Sequence, residues 1–392
     1  MKSEWNTSAI ANICKVVTDG SHTSPKSVSH GKYMVSVKDF TPYGFDFNGC
    51  RQISFADYEK LKSSGCVPQK GDILIGKDGA RYFEDIIIYN QDEAPALLSS
   101  IAILRCDEEK VIPEYLYYLL KTPSFKKDVK DNYGSGSAIP RIILKDFKRM
   151  KVEYPSIEKQ RQIVSILHDL DAKIFNNQKV NDNLEQQAAA LFSSLYNRSN
   201  TEVRYTDLIQ ILGGGTPKTG ETAYWNGNIA FFTPKDVGTP YTFITEKTIT
   251  EEGLSHCNSR LYPVNTVFVT ARGTVGKVGL SGVPMAMNQS CYALVGKETH
   301  QLLVYFYTLK AVDRLKHKAS GAVFDAITTR DFDSEQIMKL SDDDAKAFLC
   351  VAEPMFQEIL NNSIENLRLS TLRDFLLPKL MSGEIDVSSV QL

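Results

Sequence analysis

Residues 156–196 read SIEKQRQIVSILHDLDAKIFNNQKVNDNLEQQAAALFSSLY. Apolar and small residues fall at Ile163, Leu167, Leu170 and Ile174, then at Leu184, Ala188, Leu191 and Leu195. The steps alternate four and three, which is the heptad seam of a coiled coil. Two seam positions between the blocks are polar, Asn177 and Asn181. About forty residues at 1.5 Å each make a helix roughly 60 Å long. Such a helix cannot bury its seam alone and needs a partner helix.

The same chain supplies the partner. An offset of 185 residues brings back Phe348, Ala352, Met355, Ile359, Leu369, Leu376 and Leu380. It carries Asn176, Asn177 and Asn181 onto Asn361, Asn362 and Asn366. The register continues back to Asp146-Phe147 on Asp331-Phe332, and to Ser135-Gly136 on Ser320-Gly321. Scattered leucines recur by chance; three asparagines and two dipeptides in one register do not. The chain is read as a tandem repeat, each copy ending in a long helix. Asparagine inside a seam weakens it and fixes its register. Antiparallel helices would pair Asn177 with Asn366 and Asn181 with Asn362.

With 392 residues, 42% hydrophobic and 23% charged, the chain has room for two or more ordinary domains. No apolar run suits a membrane span, and the first residues lack a signal-peptide core. The seven cysteines are widely spaced without a Cys-x-x-Cys pair, which points to reduced thiols in the cytoplasm. Net charge is −2, which by itself gives nucleic acid no support. The acidic excess sits at the end of the chain, with 4 basic against 9 acidic residues in 341–392. Any contact with nucleic acid is therefore expected from the two non-helical blocks.

Residues 1–155 read as a mixed α/β block. Strands are expected at Tyr33–Val37, Asp72–Ile75, Ile86–Tyr89 and Ser100–Leu104, and helices at Phe55–Ser63 and Pro113–Leu120. Residues 201–340 run in parallel: Ile229–Phe232 matches the strand at Met34, and Thr266–Val269 matches the strand at Asp72. The offset here is 194 to 197, so loops differ in length while the framework repeats. Pro155-Ser156 opens the first helix; Ser341 and three aspartates open the second. A kink or break is expected at Pro354, and Ser382-Gly383 should end the helix.

Several runs carry a family resemblance. Gly213-Gly214-Gly215-Thr216-Pro217-Lys218 is followed by Tyr224-Trp225-Asn226-Gly227 and Phe232-Thr233-Pro234-Lys235-Asp236-Val237. Thr270-Ala271-Arg272-Gly273-Thr274-Val275-Gly276-Lys277 precedes Asn288-Gln289. Pro155-Ser156-Ile157-Glu158-Lys159-Gln160 resembles a Pro-x-x-Glu-x-Gln junction, and 376–385 resembles a closing segment. The chain resembles the specificity (S) subunit of Type I restriction–modification systems over nearly its whole length. In the first block Asp19-Gly20-Ser21-His22-Thr23 and Lys77-Asp78-Gly79-Ala80 replace the family's motifs.

The resemblance implies an α+β architecture. Two similar α/β target recognition domains, 1–155 and 201–340, would be separated and joined by two long antiparallel coiled-coil helices, 156–200 and 341–385, in a pseudo-twofold arrangement, with a tail at 386–392. It implies a non-catalytic role in host defence. Each domain would read half of a split target on double-stranded DNA, and the helices would set the gap, about one duplex turn. Two modification subunits would dock on the helices and methylate adenine from S-adenosylmethionine. Restriction subunits would bring ATP and Mg. This chain itself would hold no cofactor and no metal.

Reading bases requires donors and acceptors on loops, with phosphate contacts to hold register. Such residues are Ser21, His22, Thr23, Lys26, Lys38, Lys77, Arg81, Ser135 and Arg141 in the first block. In the second they are Thr216, Lys218, Thr219, Lys235, Arg272, Thr274, Gln289 and Ser290. Asn177, Asn181, Asn362 and Asn366 are the helix-register residues. No Asn-Pro-Pro-Tyr or Asp-Pro-Pro-Tyr motif and no phosphate-binding Gly-x-x-x-x-Gly-Lys loop is present. The six histidines lack metal spacing. The rival reading is a protein-interaction scaffold with two α/β modules on a coiled-coil strut and no DNA role.

Overall fold

The computed structural model describes residues 5–134, 140–238, 240–318 and 326–387. The chain divides into two compact units, Met1–Lys173 with Arg368–Leu392, and Ile174–Leu367. Each unit holds a stretch of both long helices.

In the first unit, a four-stranded antiparallel sheet runs in the order Cys14–Asp19, Ile101–Cys106, Ile73–Gly76, Ile86–Ile88. Its central strands are apolar without alternation because both faces are covered. Ile73, Ile75, Ala102 and Leu104 enter one core, while Leu74, Ile101 and Ile103 enter another. The period of two thus shows in which core a residue joins. A second small sheet contains a parallel pairing of Met34 with Ala96 and Val35 with Leu97. The strands Asn6–Ala9 and Lys151–Tyr154 pair at the entry to the long helix. Helices Phe55–Ser63 and Pro113–Lys121 fall where the sequence put them.

The second unit repeats this plan. Its larger sheet runs Ile209–Gly213, Cys291–Gly296, Val267–Thr270, Val278–Ser281, Tyr241–Thr242. The parallel pairing returns as Phe231 with Ala286 and Phe232 with Met287. Asn6–Tyr154 pairing returns as Thr201–Lys339. The isolated bridge Asp78–Arg141 returns as Arg272–Ala326. These are the two offsets of the sequence meeting in space: 78 matches 272, and 141 matches 326.

The long helices are Ile157–Arg198 and Asp342–Ser382. The expected break at Pro354 does not occur, and the helix also continues through Pro378. Both prolines and the residues four before them, Cys350 and Asp374, are exposed, so a carbonyl freed by the missing N–H can meet water. Gly383 at φ +72° closes the second helix in a left-handed cap, with Glu384 N donating to Lys379 O at 3.0 Å.

Within the second unit the helices pair antiparallel. Asn177 Nδ2 donates to Asn366 Oδ1 at 2.9 Å and to Glu365 Oε2 at 2.6 Å. Asn362 Nδ2 donates to Asn181 Oδ1 at 3.0 Å, and Asn181 Nδ2 to Ser363 Oγ at 3.3 Å. Asn177, Asn181 and Asn362 are buried, so the layer is a satisfied polar network inside the seam. Beside it the stripe is wider than a two-helix seam. Phe192 stacks on Phe306 at 5.0 Å and meets Phe348 edge-on at 5.4 Å, because the domain's own helix Gln301–Lys318 packs there too.

The first unit holds its helix halves differently. Ile163 and Leu167 share a core with Leu377, Leu380 and Met381. Beside that core, Asp171 accepts from Tyr118 Oη at 2.8 Å and from Arg373 at 2.8 Å. Gln160, fully buried, donates to Lys110 O and Pro155 O at 3.0 and 2.9 Å and accepts from Ile112 N at 3.0 Å. The glutamine of the junction motif thus pins the start of the helix to a domain loop.

Candidate nucleic-acid interface

In each unit, loops from the ends of the sheet strands converge. In the first, Ser21 N donates to Leu97 O at 2.7 Å, Lys77 N to Ser100 O at 2.9 Å, Gly79 N to Pro140 O at 2.9 Å and Ile142 N to Lys77 O at 2.9 Å. Four separate stretches of sequence are thereby tied together. A cavity of about 490 Å³ opens beside the 77–79 stretch, lined by Lys38, Asp78 and Arg81. In the second unit Gly215 N donates to Met287 O at 3.1 Å, Ala271 N to Ser290 O at 2.8 Å and Ile327 N to Ala271 O at 2.9 Å. Thr274 Oγ1 donates to Pro234 O at 3.0 Å, closing the same cluster. The turn before each loop is built alike: Ser36 N and Thr233 N donate to Asp39 and Asp236 at 2.8 and 2.7 Å. That places Lys38 and Lys235 equivalently, both exposed.

The candidate residues sort by exposure. His22, Thr23, Lys26, Lys38, Arg81 and Arg141 are exposed in the first unit, as are Lys218, Thr219, Lys235, Arg272, Thr274 and Gln289 in the second. Thr216 and Ser290 are half-buried. Ser135 lies outside the described residues. Two candidates have internal roles instead of surface ones. Ser21 is 5% exposed and its hydroxyl donates to Thr23 O at 2.8 Å, so it shapes the turn. Lys77 is 6% exposed, 3.4 Å from Asp19 Oδ2 and 3.6 Å from Asp78 Oδ1. A strand-end position facing inward is indistinguishable in sequence from one facing out.

Several cations near the loops are already engaged. Asp85 holds Arg81 at 2.8 Å. Lys126 and Lys130 bind Glu84 at 2.8 and 2.5 Å and hold its carboxyl below the usual range. Sequence reasoning missed Asp19 and Asp78 as parts of this site. Their only signal was a charge beside a turn glycine. Burial pushes the thiols of Cys291 and Cys50 up to about 12 and about 11, so both stay protonated at neutral pH. All seven cysteines are free. Among the described residues no helix is long and apolar enough to cross a membrane.

One fold used twice, each copy gathering polar loops at its strand ends and each packed on a pair of long helices, defines a tandem recognition protein. Residues 2–186 and 197–339 match the family described as the Type I restriction modification DNA specificity domain, and the chain belongs to that family. It is 24% identical over 310 residues to the MjaIX specificity subunit of Methanocaldococcus jannaschii, covering 72% of this chain and 71% of the relative. It is 24% identical over 406 residues to the HindI specificity subunit of Haemophilus influenzae, covering 81% and 87%. In fold it is similar to the S subunit of a Type I system from M. genitalium, with a TM-score of 0.60 over 96% of both chains at 14% identity.

Proposed function

We propose that each unit reads one half of a split duplex target through its loop cluster, and that the long helices fix the gap between the halves. In this reading two modification subunits dock on the helices and methylate one adenine in each half. S-adenosylmethionine belongs to those subunits, and ATP and Mg to the restriction subunits of the full complex. This chain's own residues bind and orient; the chemistry is the partners'. The complex works in the cytoplasm, where the duplex and reduced thiols are found.

The observation that carries the reading is the repetition of one loop framework in matched register with different side chains on it. A repeated frame with divergent loops suits two readers of different sequences. Methylation mapping of the host genome, with and without this gene, tests it. The expected result is a two-part motif with unread bases between its parts. The gap is tested by deleting residues 174–180 and 363–369 together, one heptad from each helix, opposite one another in the antiparallel pairing. Seven residues span about 10 Å, so the preferred gap should shorten by about three base pairs. A single continuous motif, or an unchanged gap after the deletion, would count against the proposal.

A further inference from the structure

The two units differ most informatively at one equivalent turn. Gly20 and Gly214 both press against the facing strand end. A Cβ would lie 2.3 Å from Leu97 O at the first and 2.1 Å from Asn288 O at the second. Two residues further on stand His22 and Thr216, and each side chain is tied to a neighbour. His22 Nε2 lies 3.3 Å from Asp19 Oδ1, and the Thr216 hydroxyl donates to the Gln289 amide oxygen.

Behind His22 lies a charge network with no counterpart among the described residues of the second unit. Asp19 is 8% exposed and meets the buried ammonium of Lys77, which also faces Asp78. The matched positions in the second unit are Gly213, Ala271 and Arg272. Burying an ammonium and a carboxylate requires close mutual partners. The solvent end of this network is the His22 ring, 74% exposed.

A carboxylate beside one ring nitrogen keeps the proton on that nitrogen and fixes the tautomer. Neutral His22 then carries its proton on Nε2, toward Asp19, and leaves Nδ1 as an acceptor. In the major groove an acceptor pairs with the exocyclic amino group of adenine or cytosine and not with the carbonyl oxygens of guanine or thymine. We propose that His22, oriented by Asp19 and through it by Lys77, reads one base of one half-target and selects adenine or cytosine there. The proposal rests on the split-target reading above. Asp19 and Lys77 are positioning residues; Thr216 holds the equivalent place in the other half.

The test uses the full chain assembled with its modification subunits and a library of random duplexes. Wild type is compared with His22→Ala, Thr216→Ala and Asp19→Asn. His22 is exposed, so its removal leaves the fold intact. His22→Ala should flatten the preference at one position by about tenfold and leave the gap and the other half unchanged. Thr216→Ala should alter a position in the opposite half. Asp19→Asn should admit guanine or thymine at the His22 position while affinity for the rest of the target holds; a purely structural aspartate would weaken every position alike. Replacing the selected base by its analogue without the amino group should weaken wild type about tenfold and leave His22→Ala indifferent. Unchanged preferences at every position in His22→Ala, or changes by both loop variants in the same half, would overturn the proposal. Wild type that binds the library without sequence preference would overturn the split-target reading itself.

Discussion

The asparagine layer permits a sharp energetic test. Asn181 and Asn362 are 4% and 8% exposed and joined by a 3.0 Å hydrogen bond. Asn181→Leu leaves the Asn362 amide buried without its acceptor. Leaving one buried polar group unmade costs about 1–3 kcal/mol. Asn362→Leu strands the Asn181 oxygen and should cost a similar amount. The double variant removes both groups and adds two leucines to an apolar seam. Ser363 loses a donor but keeps its own bond to Ile359 O at 2.6 Å. The double variant should therefore be close to wild type, so the coupling equals the two single costs together, about 4 kcal/mol in magnitude. The Asn177–Asn366 pair stays in place and keeps the register. The chain has two tryptophans, Trp5 in the first unit and Trp225 in the second. Urea unfolding followed by Trp225 fluorescence in a Trp5→Phe background therefore reports the unit that contains the layer. Single effects that add to within about 0.5 kcal/mol would refute the reasoning, because a shared buried bond cannot be lost twice.

Other consequences follow from the same geometry. Tyr118 is 4% exposed and donates to the Asp171 carboxylate at 2.8 Å, so Tyr118→Phe should lower first-unit stability by about 2 kcal/mol, read by Trp5 in a Trp225→Phe background. Burial raises the Glu185 carboxyl above its ordinary value of 4.5, against the opposing bond from Tyr305. A folded-state pKa above the unfolded one gives stability that is present below the unfolded value and lost as pH rises through the folded one. Glu185→Gln, whose amide oxygen can still accept from Tyr305, should thus gain on wild type as pH is raised from about 4 to about 7 in parallel urea titrations. Gly20→Ala and Gly214→Ala should each destabilise their own unit by about 2 kcal/mol, because the close atoms are backbone carbonyls that cannot rotate away. In methylation mapping each should blur one half of the target and spare the other.

The long helices, their seam and their asparagine pairs were legible in the chain because heptad spacing and a constant offset are properties of sequence alone. So were the central strands, as short apolar runs between turn glycines, and the repeated framework, whose matched residues 78 with 272 and 141 with 326 form equivalent bridges. Tertiary structure alone decided which loop side chains face water. Lys77 looks like a surface cation and is buried on Asp19; Ser21 looks like a donor for DNA and folds its own turn. Pro354 looks like a helix breaker, yet the helix continues because the freed carbonyl lies on the exposed side. Gln160 reads in the sequence as the last residue of the junction motif, and only the fold shows it as a fully buried clamp. Periodicity is local and survives in one dimension, whereas burial of a charge depends on what strands distant in sequence bring beside it.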